Sequence, residues 1–185
     1  AHPMSAPIRE APIDAGNDLA TRDRLLGTAA RLFADNGFAT VSVRDICRDA
    51  GANVAAVNYH FGGKQGLYTA VMDAAIETMQ ATTAAARDAG AHLDGRGRLD
   101  AFVRTFLRRT VGLGRESWIH RLMMRELSDP TPVLERVAAE VLRPRLAYLC
   151  DAMAEAVGVA PDHPAVVRSA ISLTSQIHGL MWGER

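Results

Sequence analysis

The sequence predicts an all-α protein, and three observations carry that expectation. Apolar side chains recur three and four positions apart along most of the chain, which is the repeat of one helix face. Alanine is abundant while aromatic residues make up only 5% of the chain, a balance that suits closely packed helices better than a β-sandwich. No segment alternates apolar and polar residues with the period of a strand. At 185 residues and 48% hydrophobic content, the chain is long enough to bury a real core.

The elements follow in order. The opening AHPMSAPIREAPIDAGND is rich in Pro and Ala and lacks a charged-then-apolar signal pattern. Residues 1–20 are therefore expected to be a flexible arm, with Ala1-His2-Pro3 ahead of Met4 as a cloning remnant. Thr21 is placed to cap a first helix to about Asn36, with Leu25, Leu26, Ala29, Ala30 and Phe33 as its buried stripe and Gly37 as its terminator. Thr40 and Ser42 open a second helix, whose Asp45 suits the positive end of the helix dipole. Its apolar set is Val43, Ile46, Cys47 and Ala50, and Gly51 closes it. Asn53 caps a third helix from Val54 to Phe61, in which Val57 and Phe61 share one side. Gly62-Gly63 break that helix, and Lys64 starts a fourth running through Leu67, Val71, Ala74, Ala75 and Met79 to about Arg87.

The second half is helical as well. Gly90 and the DGRG segment at 94–97 set off a fifth helix with Leu99, Phe102, Val103, Phe106 and Leu107 at core spacing. Gly112 and Gly114 mark the next break. Trp118 to Leu127 form a helix that ends at the Asp129-Pro130-Thr131-Pro132 turn. A long helix from Val133 to about Val157 should kink near Glu140 and Val141, because the ring of Pro144 clashes one turn back. A loop over 158–164 precedes a last helix from Ala165 to Trp182.

Residues 42–64, SVRDICRDAGANVAAVNYHFGGK, are the most informative stretch. Helix, short turn with Gly, helix is the helix-turn-helix arrangement, whose second helix enters the major groove of DNA. The second helix here offers a surface too small, polar and aromatic for ordinary core. Asn58 suits a bidentate pair with adenine N6 and N7, or a phosphate. Ala55 and Ala56 permit close approach and offer methyl contact to thymine. Tyr59 and His60 are candidate donors to phosphate oxygens, as is Lys64 at a helix start where backbone N–H groups favour an anion. Ser42 and Arg44, at the amino end of the preceding helix, suit the flanking backbone.

Residues 21–72 resemble the amino-terminal DNA-binding domain of TetR-family transcriptional regulators. The matching pieces are LFADNGF (32–38), TVSVRDI (40–46), AG (50–51), NYHF (58–61), GGK (62–64) and Leu67-Tyr68, in the family's order and spacing. The run NVAAVNYHFGGKQGLY looks most like the branch containing the CecR-type regulators, and RLMMRELSDPTP (121–132) is more loosely similar to it. The resemblance implies phosphate contacts from Tyr59, His60 and Lys64, and base-facing positions at Asn53, Val54, Ala55 and Ala56. This chain has Asn58 where many members have Tyr, which leaves base-by-base assignment open. The domain division that follows is a 1–20 arm, a 21–66 helix-turn-helix domain and a 67–185 ligand-binding and dimerisation domain.

The resemblance further implies a homodimer on a double-stranded, palindromic DNA operator. It also implies a small-molecule effector in the carboxy-terminal bundle, repression as the default output, and a cytoplasmic location. Trp118, His120, Met123, Met124, Tyr148, Gln176 and His178 are candidates to line the effector pocket, with packing core as the alternative for Trp118, Met123 and Tyr148. Family members commonly carry one helix beyond the position of MWGER, their final two helices pairing with the partner subunit.

Other functions find little support. The chain has no GxSxG, P-loop, HExxH or Rossmann glycine pattern, so no enzyme is expected. His120 and His178 lack an i+4 ligand partner, and no metal or cofactor is expected. Cys47 and Cys150 are too few for a disulfide framework and are read as buried small side chains. No apolar run approaches the roughly 20 residues a membrane span needs. The 21 Lys and Arg balance 21 Asp and Glu, so overall charge does not mark a DNA binder, and local placement must. The Arg-rich stretch from Arg96 to Arg115 reads as a solvated helix face. The alternative to a regulator is an α-helical carrier or interaction module that no longer reads DNA. Retention on DNA around its own gene separates the two.

Overall fold

Ser42 and Asp45 fix the start of the first motif helix by satisfying each other's backbone. The computed structural model describes residues 15–112 and 117–180, and in it the Ser42 Oγ accepts from the Asp45 N–H at 3.1 Å while the Asp45 carboxylate accepts from the Ser42 N–H at 3.2 Å. This capping box opens α2 (Val43–Ala50), and Gly51 in the left-handed region closes it. The Ser42 hydrogen bonds hold the Asp45 carboxyl below the usual carboxylate range. Asn53 then caps α3 (Val54–Phe61), its Oδ1 accepting from Ala56 N–H at 2.8 Å.

The first helix, α1 (Ala15–Asn36), begins six residues earlier than expected. Thr21 does not cap it; its hydroxyl instead accepts from Arg24 inside the helix. Residues 15–20 therefore belong to a helix rather than to the arm, and Asp18 is carried to the side of α3. Gly62 and Gly63 separate α3 from α4 (Lys64–Gly90), and Gly63 has a φ of 113°, which a residue with a Cβ rarely adopts. Gly66, one turn into α4, lies so close to α3 that an added Cβ would sit 1.7 Å from the Phe61 carbonyl oxygen.

Beyond α4 come α5 (Gly95–Gly112), α6 (Trp118–Ser128), α7 (Val133–Val137), a π-helical turn (Ala138–Leu142), α8 (Arg143–Val157) and α9 (Pro164–Leu180). No strand occurs among the described residues. The expected Trp182 end of the last helix lies outside the described residues. The run from α7 to α8 shows what Pro144 does. Its missing N–H and its ring deprive the Glu140 carbonyl of its helical partner, the backbone widens into a π turn, and Gln80 Nε2 on α4 donates to that carbonyl at 3.3 Å.

Two apolar cores organise these helices. One joins Leu25 and Phe33 of α1, Ile46 of α2, Val57 of α3 and Leu67 and Met72 of α4 to Leu122 of α6 and Val133, Val137 and Val141 beyond it. The other gathers Phe102 and Phe106 of α5, Tyr148 and Leu149 of α8 and Ala170 and Ile177 of α9. The helix-turn-helix unit is thus not a separate bead. Its core continues without a break into α6 and α7.

Candidate DNA-reading surface and effector cavity

The outer flank of α3 is open. Asn53, Val54, Ala55, Asn58 and Tyr59 are exposed, Tyr59 by 66%, while Val57 is fully buried and Ala56 and Phe61 pack on the core. Neither α3 nor α4 has an acidic residue in its first turn, so their amino ends keep their positive character. Arg44, in the first turn of α2, is exposed and pairs with no carboxylate among the described residues. Arg48 is different, held by Asp45 at 3.1 Å and Asp49 at 3.2 Å. Ser42 is exposed but spends its hydroxyl on the cap.

Two of the expected phosphate donors are placed otherwise. The His60 side chain is only 7% exposed, and its Nε2 lies 3.3 Å from the Asp18 carboxylate. His60 turns under the helix because α1 extends back to meet it, a contact that spacing within α3 cannot foretell. Lys64 leans back over the Phe38 ring at 4.5 Å and donates to the Ala39 carbonyl at 3.4 Å, so its ammonium is engaged within the chain.

A second feature lies beside the middle of α4, at Thr78, Met79 and Thr82. A cavity of about 480 Å³ opens between α4, α5, α6, the π turn and α9. Met79, Met123, Met124, Leu127, Leu134 and Leu142 are apolar residues of its wall, and Arg145 also lines it. Pockets of this size hold small organic molecules.

The helix between these two features has two working faces. Side chains advance about 100° per residue, so His120, Met123, Met124 and Leu127 of α6 line the cavity while Arg121, Leu122, Arg125 and Glu126 point the other way. Arg121 Nε meets the Asp35 carboxylate at 2.8 Å, and Arg125 donates to the carbonyls of Ala34, at 2.9 Å, and Asp35. Two cations thereby cap the negative end of α1. Glu126, 2% exposed, accepts from the Tyr68 hydroxyl of α4 and from the Thr131 N–H and hydroxyl.

Residues 25–71 match the bacterial regulatory proteins of the tetR family, and residues 95–185 match the C-terminal domain of the HTH-type transcriptional dual regulator CecR. The chain belongs to the TetR family of transcriptional regulators. It is a DNA-binding transcription factor and not an enzyme. A TetR-family regulator of Streptomyces coelicolor has the same fold with a TM-score of 0.69 and 28% identity, covering 88% of this chain and 82% of that one. PfmR of Thermus thermophilus, another member, superposes with a TM-score of 0.68 over 89% of this chain and 86% of its own, at 20% identity. YttP of Bacillus subtilis (strain 168), a probable HTH-type transcriptional regulator, is 43% identical over 49 residues, which is 26% of this chain and 24% of YttP. That likeness spans about a quarter of the curated relative.

Within this TetR-family regulator the expected pocket residues divide. His120, Met123 and Met124 line the cavity. Trp118 instead packs against the core that contains the helix-turn-helix unit, because it falls on the inner face of α6 with Leu122. Tyr148 is buried in the α5–α8–α9 core near Phe102. Gln176 is exposed and bonds Ser172 one turn back at 3.0 Å. The His178 side chain lies outside the described residues. Sequence reading did not single out Arg145, which borders the same cavity.

Proposed function

We propose that this TetR-family regulator is a repressor that binds a palindromic operator as a homodimer in the cytoplasm and is released when a small molecule enters the cavity beside α6. The exposed flank of α3 supports DNA reading by this helix, with Tyr59 and Arg44 on phosphates and Asn53, Val54, Ala55, Ala56 and Asn58 near base edges. An eight-residue helix is roughly 12 Å long and touches few base pairs. Doubling it across a two-fold axis doubles its phosphate contacts and explains why the operator would be palindromic. The outer side of α8 and α9, with Val157 and Ile171 at 66% and 50% exposure, is the partner-facing surface in this reading. The division into a reading head and a sensing bundle along α4 belongs to the same reading.

The observation that carries the ligand-controlled part is the double role of α6. Anything that displaces the Met123–Met124–Leu127 face must carry Arg121, Arg125 and Glu126 with it, and these hold α1 and α4. The effector acts only through its differential affinity for the two positions of α6. Footprinting on the DNA upstream of the protein's own gene tests the operator, and sedimentation tests the dimer. Transcription from that promoter in vitro should fall on adding the protein. A rise would remove the repressor assignment, and an unsymmetrical footprint would remove the palindrome.

A further inference from the structure

The cavity wall is mainly apolar, with threonines, serines, His120 and two arginines among its polar members, and one of these is a buried cation that hydrophobic packing does not require. Arg145, in the first turn of α8, is 3% exposed, and no carboxylate pairs with it among the described residues. Its Nε donates to Thr83 Oγ1 at 3.0 Å and its Nη2 to the Met79 carbonyl at 3.3 Å, while the Phe106 ring centroid lies 4.8 Å from the guanidinium carbon. These contacts use two of the five N–H donors and supply no negative charge. Nη1 has no acceptor among the described residues, and the side chain borders the cavity. Burial lowers the Arg145 pKa to about 10, which still leaves it cationic at neutral pH.

A buried charge without a counter-ion is costly, and a well-packed apolar residue would serve stability better. The rest of the lining holds no Asp or Glu, and it includes a second cation, Arg109. We propose that the effector is an amphipathic anion, with a carboxylate paired to Arg145 and an apolar body lying along Met123, Met124, Leu134 and Leu142. The guanidinium fork matches the two oxygens of a carboxylate, whereas an ammonium or neutral head would leave the cation unmatched. This inference rests on the cavity being the effector site. It adds the charge of the molecule and the residue that recognises it.

The test measures binding directly, apart from DNA release. The full-length protein is titrated with decanoate, its uncharged amide decanamide and the cation decylammonium, all below their micelle thresholds, by calorimetry and by displacement of an anilinonaphthalene fluorophore. Decanoate should bind at least about tenfold more tightly than decanamide, and decylammonium most weakly. In Arg145→Gln decanoate should lose far more affinity than decanamide, so that the advantage vanishes, and Arg145→Lys should keep part of it. Equal binding of decanoate and decanamide by the unaltered protein overturns the proposal, and so does any preference for the cation. Should Arg145→Gln fail to fold, the comparison within the unaltered protein still decides. Decanoate that binds through Arg145 without releasing operator DNA would leave this inference standing and remove the release step proposed above.

Discussion

The Tyr68 hydroxyl donates to the Glu126 carboxylate in a bond buried on both sides, each residue being 2% exposed. Tyr68 is held in place by ring contacts to Phe33 at 5.1 Å and Phe38 at 4.7 Å, so the bond ties the α1–α4 corner to α6. Burial first, and the Glu126 hydrogen bond second, push the Tyr68 pKa well above its ordinary value. The bond joins the Arg121 and Arg125 contacts to α1 in linking α6 to the helix-turn-helix unit.

Tyr68→Phe should therefore separate sensing from reading. The ring packing survives, but Glu126 loses a buried donor, at a cost of about 1–3 kcal/mol. Chemical denaturation would show that loss. Operator affinity without effector should change little, while the effector concentration needed for release should rise severalfold. A variant that releases DNA as readily as the parent would rule out this bond as the link.

At the DNA surface, three substitutions should give three signatures. Tyr59→Ala should weaken binding to all operator variants alike, as a phosphate contact does. Asn58→Ala should change the ranking of variants at particular bases. Arg44→Ala should weaken binding uniformly and make the log-log salt slope shallower by about 0.9 per site. Titrations over a panel of operators at several salt concentrations read all three, and matching patterns for Tyr59→Ala and Asn58→Ala would refute the assignment.

Gly66→Ala should be among the most damaging single changes in the reading head. The new Cβ would lie 1.7 Å from backbone that cannot swing aside, so α3 must move relative to α4. A stability loss of about 3 kcal/mol is expected, the upper end for overpacking. Gly27→Ala is the control, since its Cβ would meet nothing within 4 Å. Thermal melts and operator binding of the pair should separate clearly.

Alkaline pH should destabilise the fold. Burial raises the pKa of Cys47 and, with Asp151 adding to it, of Cys150. A thiol with a higher pKa folded than unfolded contributes fully below its unfolded value of about 8.5. That contribution is lost as pH rises through the folded value. Tyr68 adds a loss of the same sign beginning near its unfolded value of about 10. Urea unfolding from pH 7 to 10 should show falling stability, and a thiol reagent at pH 8 should modify both cysteines slowly until denaturant is added. Rapid labelling of the native protein would contradict their burial.

The elements that sequence reading placed well are those whose causes lie within one turn. Ser42 with Asp45, Asn53 with Ala56 and the glycines at 51, 62 and 63 act through neighbours three or four residues away, and Pro144 disturbs the backbone one turn before it. The site residues fared less evenly. Asn58 and Tyr59 stand outside because their own helix turns them there, but His60 faces inward because Asp18 arrives from another helix. Trp118 and Met123 are five positions apart on α6 and looked equally suited to a pocket; both pack against the core that contains the helix-turn-helix unit, but only Met123 also lines the cavity.

By itself, the sequence determined an all-α chain, the helix-turn-helix and the side of α3 left exposed, since each depends on local hydrogen bonding and on the 3.6-residue repeat. Tertiary structure decided which face of α6 lines the cavity and which holds α1 and α4, and left Arg145 buried beside Thr83 with no carboxylate partner among the described residues. Those outcomes come from the packing of helices far apart along the chain, and a one-dimensional pattern carries no record of which faces will meet.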